Sequence, residues 1–285
     1  METMSTCVPA ITLNDATPIP QLGLGLWKID PDECDTVIRT AIEAGYRHFD
    51  CAAIYKNEEA VGAALRAAIA AGDVERDELF VVSKVWNNQQ GFEETGEAFN
   101  QSLQRLGLDY LDMYMVHWPC ADKDTYRASF EAIAQLQGLG RVQTVGVCNF
   151  YEETLDSIIA DTGITPAINQ IELHPGFSQH QLVDYHHHHG IVTECWSPLG
   201  QGEILSHPIL GEIAEHHGVS PAQVALRWSL QQDRIVIPRS RTPERIWENI
   251  DVFSFTLSGE ELRRITAMDQ GEGAGRVGPD PREFS

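Results

Sequence analysis

The sequence predicts a closed (β/α)8 barrel of the TIM type, and three observations carry that expectation. Eight short apolar runs recur along the chain: Leu22–Leu26, His48–Asp50, Phe80–Val85, Leu111–His117, Val142–Asn149, Ile168–Glu172, Val192–Ser197 and Ile235–Pro238. Runs this short, rich in Val, Ile and Leu, fit strands buried on both faces of a parallel sheet. Amphipathic stretches separate them, giving the alternation of βα units. Eight units in about 215 residues favour a closed barrel over a doubly wound sheet, which usually carries about five or six strands.

The elements follow in order. Ile11–Leu13 and Ile19–Gln21 flank Asn14-Asp15 and read as a hairpin that plugs the barrel bottom. Asp32–Ala44 sets Cys34, Val37, Ile38, Ala41 and Ile42 at helical spacing. Asn57–Ala71 does the same with Ala60, Val61, Ala64, Leu65 and Ala68. Glu93–Leu106, Thr125–Leu139, Glu152–Ala160, Gln179–His188 and Pro221–Gln231 are the next helices, and Leu257–Met268 is one more, before a Gly-rich tail. No linker, repeat or low-complexity segment appears, so one domain is expected over residues 1–285, with its barrel core at about 22–250.

Composition narrows the function classes. Asp and Glu outnumber Lys and Arg by 42 to 20, a formal charge of -22. Nucleic acid and anionic membrane surfaces need a basic face, so neither is an expected partner. With 42% hydrophobic and 22% charged residues the chain reads as globular. No window approaches about 18 apolar residues, so no membrane span is expected. Met1–Ala10 lacks a basic region followed by an apolar run, so no signal peptide is read there. No two of the cysteines Cys7, Cys34, Cys51, Cys120, Cys148 and Cys195 lie within four residues of each other, which excludes a metal knuckle or redox pair. A reduced, cytoplasmic protein is the expectation.

A barrel places its active site at the C-terminal ends of its strands. Those ends carry Trp27, Asp50, Lys84, His117, Asn149, Gln170 with Glu172, Trp196 with Ser197, and Arg239 with Ser240. Polar residues capping nearly every strand point to chemistry rather than packing. The segment GYRHFDCAAIYKNEEAVG (Gly45–Gly62) resembles the active-site signature of the aldo-keto reductases, and VGVCNF (Val145–Phe150) and IPRSRTPERIWEN (Ile237–Asn249) resemble that family's other two signatures. KVWN (Lys84–Asn87), HWP (His117–Pro119), NQIELHP (Asn169–Pro175) and SPLGQG (Ser197–Gly202) fall between them in the expected order. The likeness runs from about Ile11 to Pro281, and SPLGQG with the tail MDQGEGAGRVGPDP (Met268–Pro281) is closest to the family's bacterial 2,5-diketo-D-gluconate reductases.

The resemblance implies an NADPH-dependent oxidoreductase that reduces aldehydes, dicarbonyls or keto-sugars. It assigns Tyr55 as general acid, Lys84 as the ammonium that lowers the phenol pKa, Asp50 as the partner holding Lys84, and His117 as the group orienting the substrate oxygen. His117 favours carbonyl over carbon–carbon double-bond reduction, since relatives of the latter kind tend to carry Glu there.

For NADP(H), the resemblance places Asp50, Cys148, Asn149, Gln170 and Trp196 around the nicotinamide. It sets Ser197, Leu199 and Gln201 at the pyrophosphate, and Glu248 and Asn249 at the adenine. Arg239, Ser240, Arg241 and Arg245 cluster after the last strand, where barrels commonly bind phosphate. Guanidinium forks suit a 2′-phosphate. The family usually has Lys where Arg239 stands and often Ser where Cys148 stands. Gly23-Leu24-Gly25 lacks the third Gly of a GxGxxG loop, position 28 being Lys, so no Rossmann site is read.

Trp27, Trp86 and Trp118, with Tyr55 and His117, are expected to line the substrate pocket. The segments after His117 and Met268 are shorter than in mammalian relatives, which implies an open site of broad tolerance. No metal site is expected. Four successive histidines, His186–His189, diverge around a helix end, where only His186 and His189 could share an ion, and His216-His217 is a further pair. The expected form is a monomer acting on a small carbonyl compound. Rival readings are a non-catalytic NADP(H)-binding regulatory barrel, or an NADH-preferring reductase or alcohol dehydrogenase of the same family.

Overall fold

A computed structural model describes residues 8–271 and 273–284. Cys7, and most of the stretch read for a leader, lie outside the described residues. Ala10–Thr12 (β1) and Pro18–Pro20 (β2) pair antiparallel with Ile11 opposite Ile19. The predicted hairpin is therefore present, with a wider loop closed by the Leu13 N–H on the Thr17 carbonyl at 2.9 Å.

Eight parallel strands follow: Leu24–Gly25 (β3), His48–Asp50 (β4), Phe80–Val85 (β5), Leu111–Val116 (β6), Val142–Cys148 (β7), Ile168–Glu172 (β8), Val192–Trp196 (β9) and Ile235–Val236 (β10). Each pairs with the next in chain order. The two edges then meet. Leu22 bridges Val236, the Gly23 N–H donates to the Val236 carbonyl at 2.9 Å, and the Val236 N–H donates to the Gln21 carbonyl at 3.1 Å. The barrel closes as the sequence predicts.

Two glycines allow that seam. A Cβ on Gly23 would lie 2.6 Å from the His48 ring, and one on Gly25 would lie 2.8 Å from the Ile237 carbonyl oxygen. This Gly-Leu-Gly run thus serves close packing between strands.

Alternation along the strands builds two cores. Phe49, Val81, Val85, Tyr114, Val116, Val145, Val147, Ile171 and Cys195 join the layer between sheet and helices. Phe80, Val82, Met113, Met115, Cys148, Ile168 and Ile235 pack inside the barrel, and Leu13 and Ile19 of the hairpin fill the same cluster from below. Burial on both faces explains why the strands read as continuous apolar runs.

The helices are Cys34–Ala44 (α1), Glu58–Ala71 (α2), Phe92–Leu106 (α3), Tyr126–Gly138 (α4), Glu152–Thr162 (α5), His180–His189 (α6), Pro208–His217 (α7), Pro221–Leu230 (α8), Pro243–Ile250 (α9) and Gly259–Thr266 (α10). Two of them, α7 and α9, were not evident as periodic patterns. Each buries only three side chains: Leu210, Ile213 and Ala214 in α7, and Ile246, Asn249 and Ile250 in α9. Pro at the first turn of each starts the helix where periodicity is too short to show it.

Two glycine substitutions separate propensity from packing. A Cβ on Gly62 in α2 would sit 2.1 Å from the Leu106 carbonyl oxygen, a backbone atom that cannot yield cheaply, whereas Gly96 in α3 faces open space. Gly62→Ala should therefore destabilise by about 1–3 kcal/mol despite the better helix former. Gly96→Ala should stabilise by up to about 1 kcal/mol. Urea denaturation of the two variants checks the opposite signs.

Candidate active site

Asp50, the last residue of β4, and Lys84, next to the last of β5, both point into the barrel mouth. The Lys84 Nζ donates to Asp50 Oδ1 at 2.6 Å, to the Cys51 carbonyl at 2.8 Å and to the Tyr55 hydroxyl at 3.4 Å. Lys84 is fully buried and Asp50 nearly so. Burial alone would push the Lys84 ammonium down, but Asp50 beside it holds it up, so it stays charged.

Tyr55 ends a 3₁₀ turn, Ala53–Tyr55, immediately after β4. Asn57 anchors that loop, donating through Nδ2 to the Leu26 carbonyl at 2.9 Å and the Ile29 carbonyl at 3.0 Å. Burial raises the phenol above its ordinary value, and Lys84 pulls against that rise without cancelling it. Lys84 thus acts in the expected direction, against a larger effect of burial.

His117 follows β6, with its ring 5.8 Å from that of Tyr55 and 5.1 Å from that of Trp86. Burial, reinforced by the nearby Lys84 charge, holds the imidazole well below its usual value, so it is neutral. Its Nδ1 is buried with no hydrogen-bond partner.

Two amides complete the mouth. Asn149, after β7, has left-handed backbone geometry (φ 63). Its Nδ2 donates to the His117 carbonyl at 3.0 Å, and its Oδ1 accepts from Trp196 Nε1 at 2.8 Å. Gln170 Nε2 donates to Asp50 Oδ1 at 2.9 Å and to Glu194 Oε2 at 2.7 Å. Internal bonds thus occupy both N–H groups of Gln170 and one of Asn149, and the Gln170 Oε1 faces only the weak thiol donor of Cys148. Cys148 lies deeper, fully buried, with its thiol 3.4 Å from Met115 Sδ and 3.9 Å from Gln170 Oε1.

At the rim, Trp196, Ser197 and Leu199 are half-buried and Gln201 is exposed. Arg239 and Arg245 are exposed, and among the described residues no carboxylate lies within 4 Å of either. Arg241 is engaged elsewhere, 3.6 Å from Glu33 and 3.8 Å from Asp30. The Ser240 hydroxyl accepts from the Thr242 N–H at 3.2 Å and shapes the turn into α9. Glu248 is half-buried and Asn249 buried on α9.

The tryptophans divide. Trp27 is 43% exposed, with the Lys28 ammonium 4.0 Å over its ring, whereas Trp118 is buried. The tail reaches further than its length implied. The Val277 and Gly278 N–H groups donate to the Glu172 carboxylate at 2.6 and 2.9 Å, and Gly278 lies against the Trp196 ring. Phe284 then lies tilted against Trp118, with ring centroids 4.5 Å apart, and edge-on to Trp86 at 6.2 Å. The open mouth expected from the short tail is corrected: an aromatic wall closes one side. Sequence reading missed Phe284 because it lies beyond any strand end or periodic pattern. It also missed Glu194, though a lone carboxylate within a run otherwise fit for burial is a signal.

The histidine run is partly interior. His186 is fully buried, its Nε2 2.9 Å from Asn169 Nδ2 and its Nδ1 2.8 Å from Thr193 Oγ1, and burial takes it down to about 3. His216 Nδ1 and His217 Nε2 converge on Glu261 Oε1, each at 3.0 Å, on the outer helices α7 and α10. They form the one metal-type grouping among the described residues.

Strand-end polar residues around a buried ammonium define an enzyme-type barrel. The aldo/keto reductase family model matches residues 21–270, and the chain belongs to that family. It is 48% identical over 277 residues to an aldo-keto reductase of Mycolicibacterium smegmatis, covering 97% of this chain and 98% of the relative. It is 45% identical over 276 residues to the methylglyoxal reductase DkgA of Escherichia coli, covering 96% and 97%. Among solved structures, a mutant of Gox0644 in complex with NADPH superposes with a TM-score of 0.92 at 41% identity, covering 98% of this chain and 99% of that one. A Bombyx mori aldo-keto reductase in complex with NADP gives 0.87 at 35% identity, covering 92% and 93%.

Removing one partner of a buried pair leaves the other charge uncompensated. Asp50→Asn should destabilise the protein by about 3–5 kcal/mol, read by chemical denaturation.

Proposed function

We propose that the chain is an NADPH-dependent carbonyl reductase acting on aldehydes, dicarbonyls or keto-sugars. The observation that carries this reading is the hydrogen-bonded line Asp50–Lys84–Tyr55 beside a neutral His117. The residues present fit a nicotinamide dinucleotide. Arg239 and Arg245 offer two exposed guanidiniums close together in sequence, with no carboxylate within 4 Å of either among the described residues, on a chain of charge -22. Gln170 Oε1 and Asn149 Oδ1 offer acceptors for a carboxamide N–H, and the half-buried Trp196 offers a ring to stack on.

In this assignment Ser197, Leu199 and Gln201 hold the pyrophosphate, Arg239, Ser240 and Arg245 the 2′-phosphate, and Glu248 and Asn249 the adenine. Arg241 contributes field rather than contact, because Asp30 and Glu33 hold it. When bound, the dinucleotide supplies a hydride. Tyr55 gives its phenolic proton to the carbonyl oxygen that becomes the alcohol. Lys84 stabilises the phenolate left behind, and Asp50 fixes Lys84. His117, held neutral, donates one N–H to the substrate oxygen and orients it. Trp86, Trp118 and Phe284 form the apolar wall, with Trp27 at the outer edge.

We read residues 1–285 as one catalytic domain of an NADP-dependent enzyme of class EC 1.1.1.-, working as a cytoplasmic monomer. The described cysteines are all free and buried, which supports a reducing compartment. Large exposed apolar side chains occur singly, at Trp27, Leu139 and Trp247, which supports a monomer. No described helix is long and apolar enough to cross a membrane.

Two variants test the assignment with NADPH and methylglyoxal. Tyr55→Phe should lower kcat by about a hundred- to ten-thousandfold and leave NADPH affinity, read by fluorescence titration, nearly unchanged. An unchanged kcat would remove Tyr55 as the acid. Arg245→Ala should weaken NADPH far more than NADH, and equal weakening would remove it from the 2′-phosphate site.

A further inference from the structure

Glu194 lies inside the barrel, one layer beneath the site. It is in register with Gln170 across β8 and β9, and its side chain is fully buried. The Gln170 amide bridges two carboxylates, donating to Asp50 Oδ1 at 2.9 Å and to Glu194 Oε2 at 2.7 Å. The other oxygen, Glu194 Oε1, lies 3.5 Å from His48 Nε2. Neither of those atoms has any hydrogen-bond partner.

The proton count is decided by the far side of the imidazole. His48 Nδ1 faces the Pro20 carbonyl at 3.4 Å. A carbonyl only accepts, so Nδ1 carries the hydrogen, and a neutral ring then presents a lone pair at Nε2. A carboxylate oxygen facing a lone pair is repulsive, and a carboxylic acid O–H facing it is attractive. The His48 ring is fully buried, and burial takes it down to about 4. The proton therefore sits on Glu194 Oε1.

We propose that Glu194 is an uncharged carboxylic acid that positions Gln170 and Asp50 for the reductive step, and that its ionisation slows that step. This rests on the reductase reading above. Charge arithmetic gives the reason. Lys84 and Asp50 compensate each other inside the barrel. A second carboxylate would leave the cluster net negative just behind the oxygen that must gain negative charge, and would make Tyr55 a weaker acid.

The groups facing Glu194 are Asp50 and His48 on β4, Lys84 on β5, Cys148 on β7 and the Gln170 amide on β8. The β10 neighbour, Ile235, and the hairpin residue Pro20 are apolar or non-titrating. Burial, then Asp50, pushes the Glu194 carboxyl up to about 8, against the opposing pull of Gln170 and Lys84. Because the folded value exceeds the ordinary carboxyl value, the stability this proton confers is complete below the ordinary range. It is lost as pH rises through about 8.

Glu194→Gln mimics the protonated acid with an amide of the same shape. Wild-type turnover of methylglyoxal with NADPH should fall as pH rises through about 8, and E194Q should lack that limb while keeping wild-type kcat below it. Glu194→Leu is also neutral but gives Gln170 no acceptor. It should lose about tenfold or more in kcat at every pH, with KM little changed. A second readout needs no turnover: the Tm of E194Q relative to wild type should rise steadily from about pH 5 to about pH 9.

A pH-independent Tm difference, or the same alkaline limb in E194Q, would overturn the proposal. So would failure of E194Q to fold, since the amide is isosteric with the neutral acid. Absence of turnover with every carbonyl would instead defeat the reductase reading, and the Tm series would still decide the state of Glu194.

Discussion

The ion pair between Lys84 and Asp50 is the constraint around which the barrel mouth is built. A fully buried ammonium is tolerable only with a close counter-charge and its remaining donors satisfied. Asp50 at 2.6 Å and the Cys51 carbonyl at 2.8 Å meet two of those needs, and the Tyr55 hydroxyl takes the third direction. The counter-charge is itself held: Gln170 donates to the same Asp50 oxygen. The geometry in turn requires β4 and β5 to be adjacent and in parallel register, with Asp50 opposite Val82 and Lys84 one inward position further on. Fold and chemistry are thus set by the same hydrogen bonds.

Much of the barrel was legible because burial on both faces makes each strand a short apolar run. His48–Asp50, Phe80–Val85 and Ile168–Glu172 are read without error. The first strand was overdrawn, from Leu22 to Leu26, because only Leu24 and Gly25 pair as a strand with β4 while Leu22 serves the closing seam. The chemistry-bearing strand ends Asp50, Lys84, His117, Asn149 and Gln170 were visible as polar residues interrupting apolar runs. What stayed hidden depends on distant partners. Ser240 bends a turn, Arg241 is held by Asp30 and Glu33, and His186 is buried by Asn169 and Thr193; none of these can be read from local spacing.

The cations of this acidic chain divide into paired and unpaired. Arg47, Arg76, Arg105, Arg127, Arg264 and Arg282 each have a carboxylate within 4 Å. Against that background the exposed Arg239 and Arg245 form a local positive potential at the start of α9, in a field that is negative at longer range. Such a spot attracts an anion locally within a field that repels it at longer range.

The tail carries a consequence of another kind. Its grip on the barrel combines main chain and side chains: the Val277 and Gly278 N–H groups seat on Glu172, Arg276 donates to the Tyr151 hydroxyl, and Arg282 pairs with Glu153. None of these anchors is the Phe284 side chain, which touches Trp86 and Trp118. The polar strand ends and the aromatic wall beside them are thus carried by separate pieces of the chain. A lineage could rewrite that wall at the last residues while leaving the polar strand ends in place.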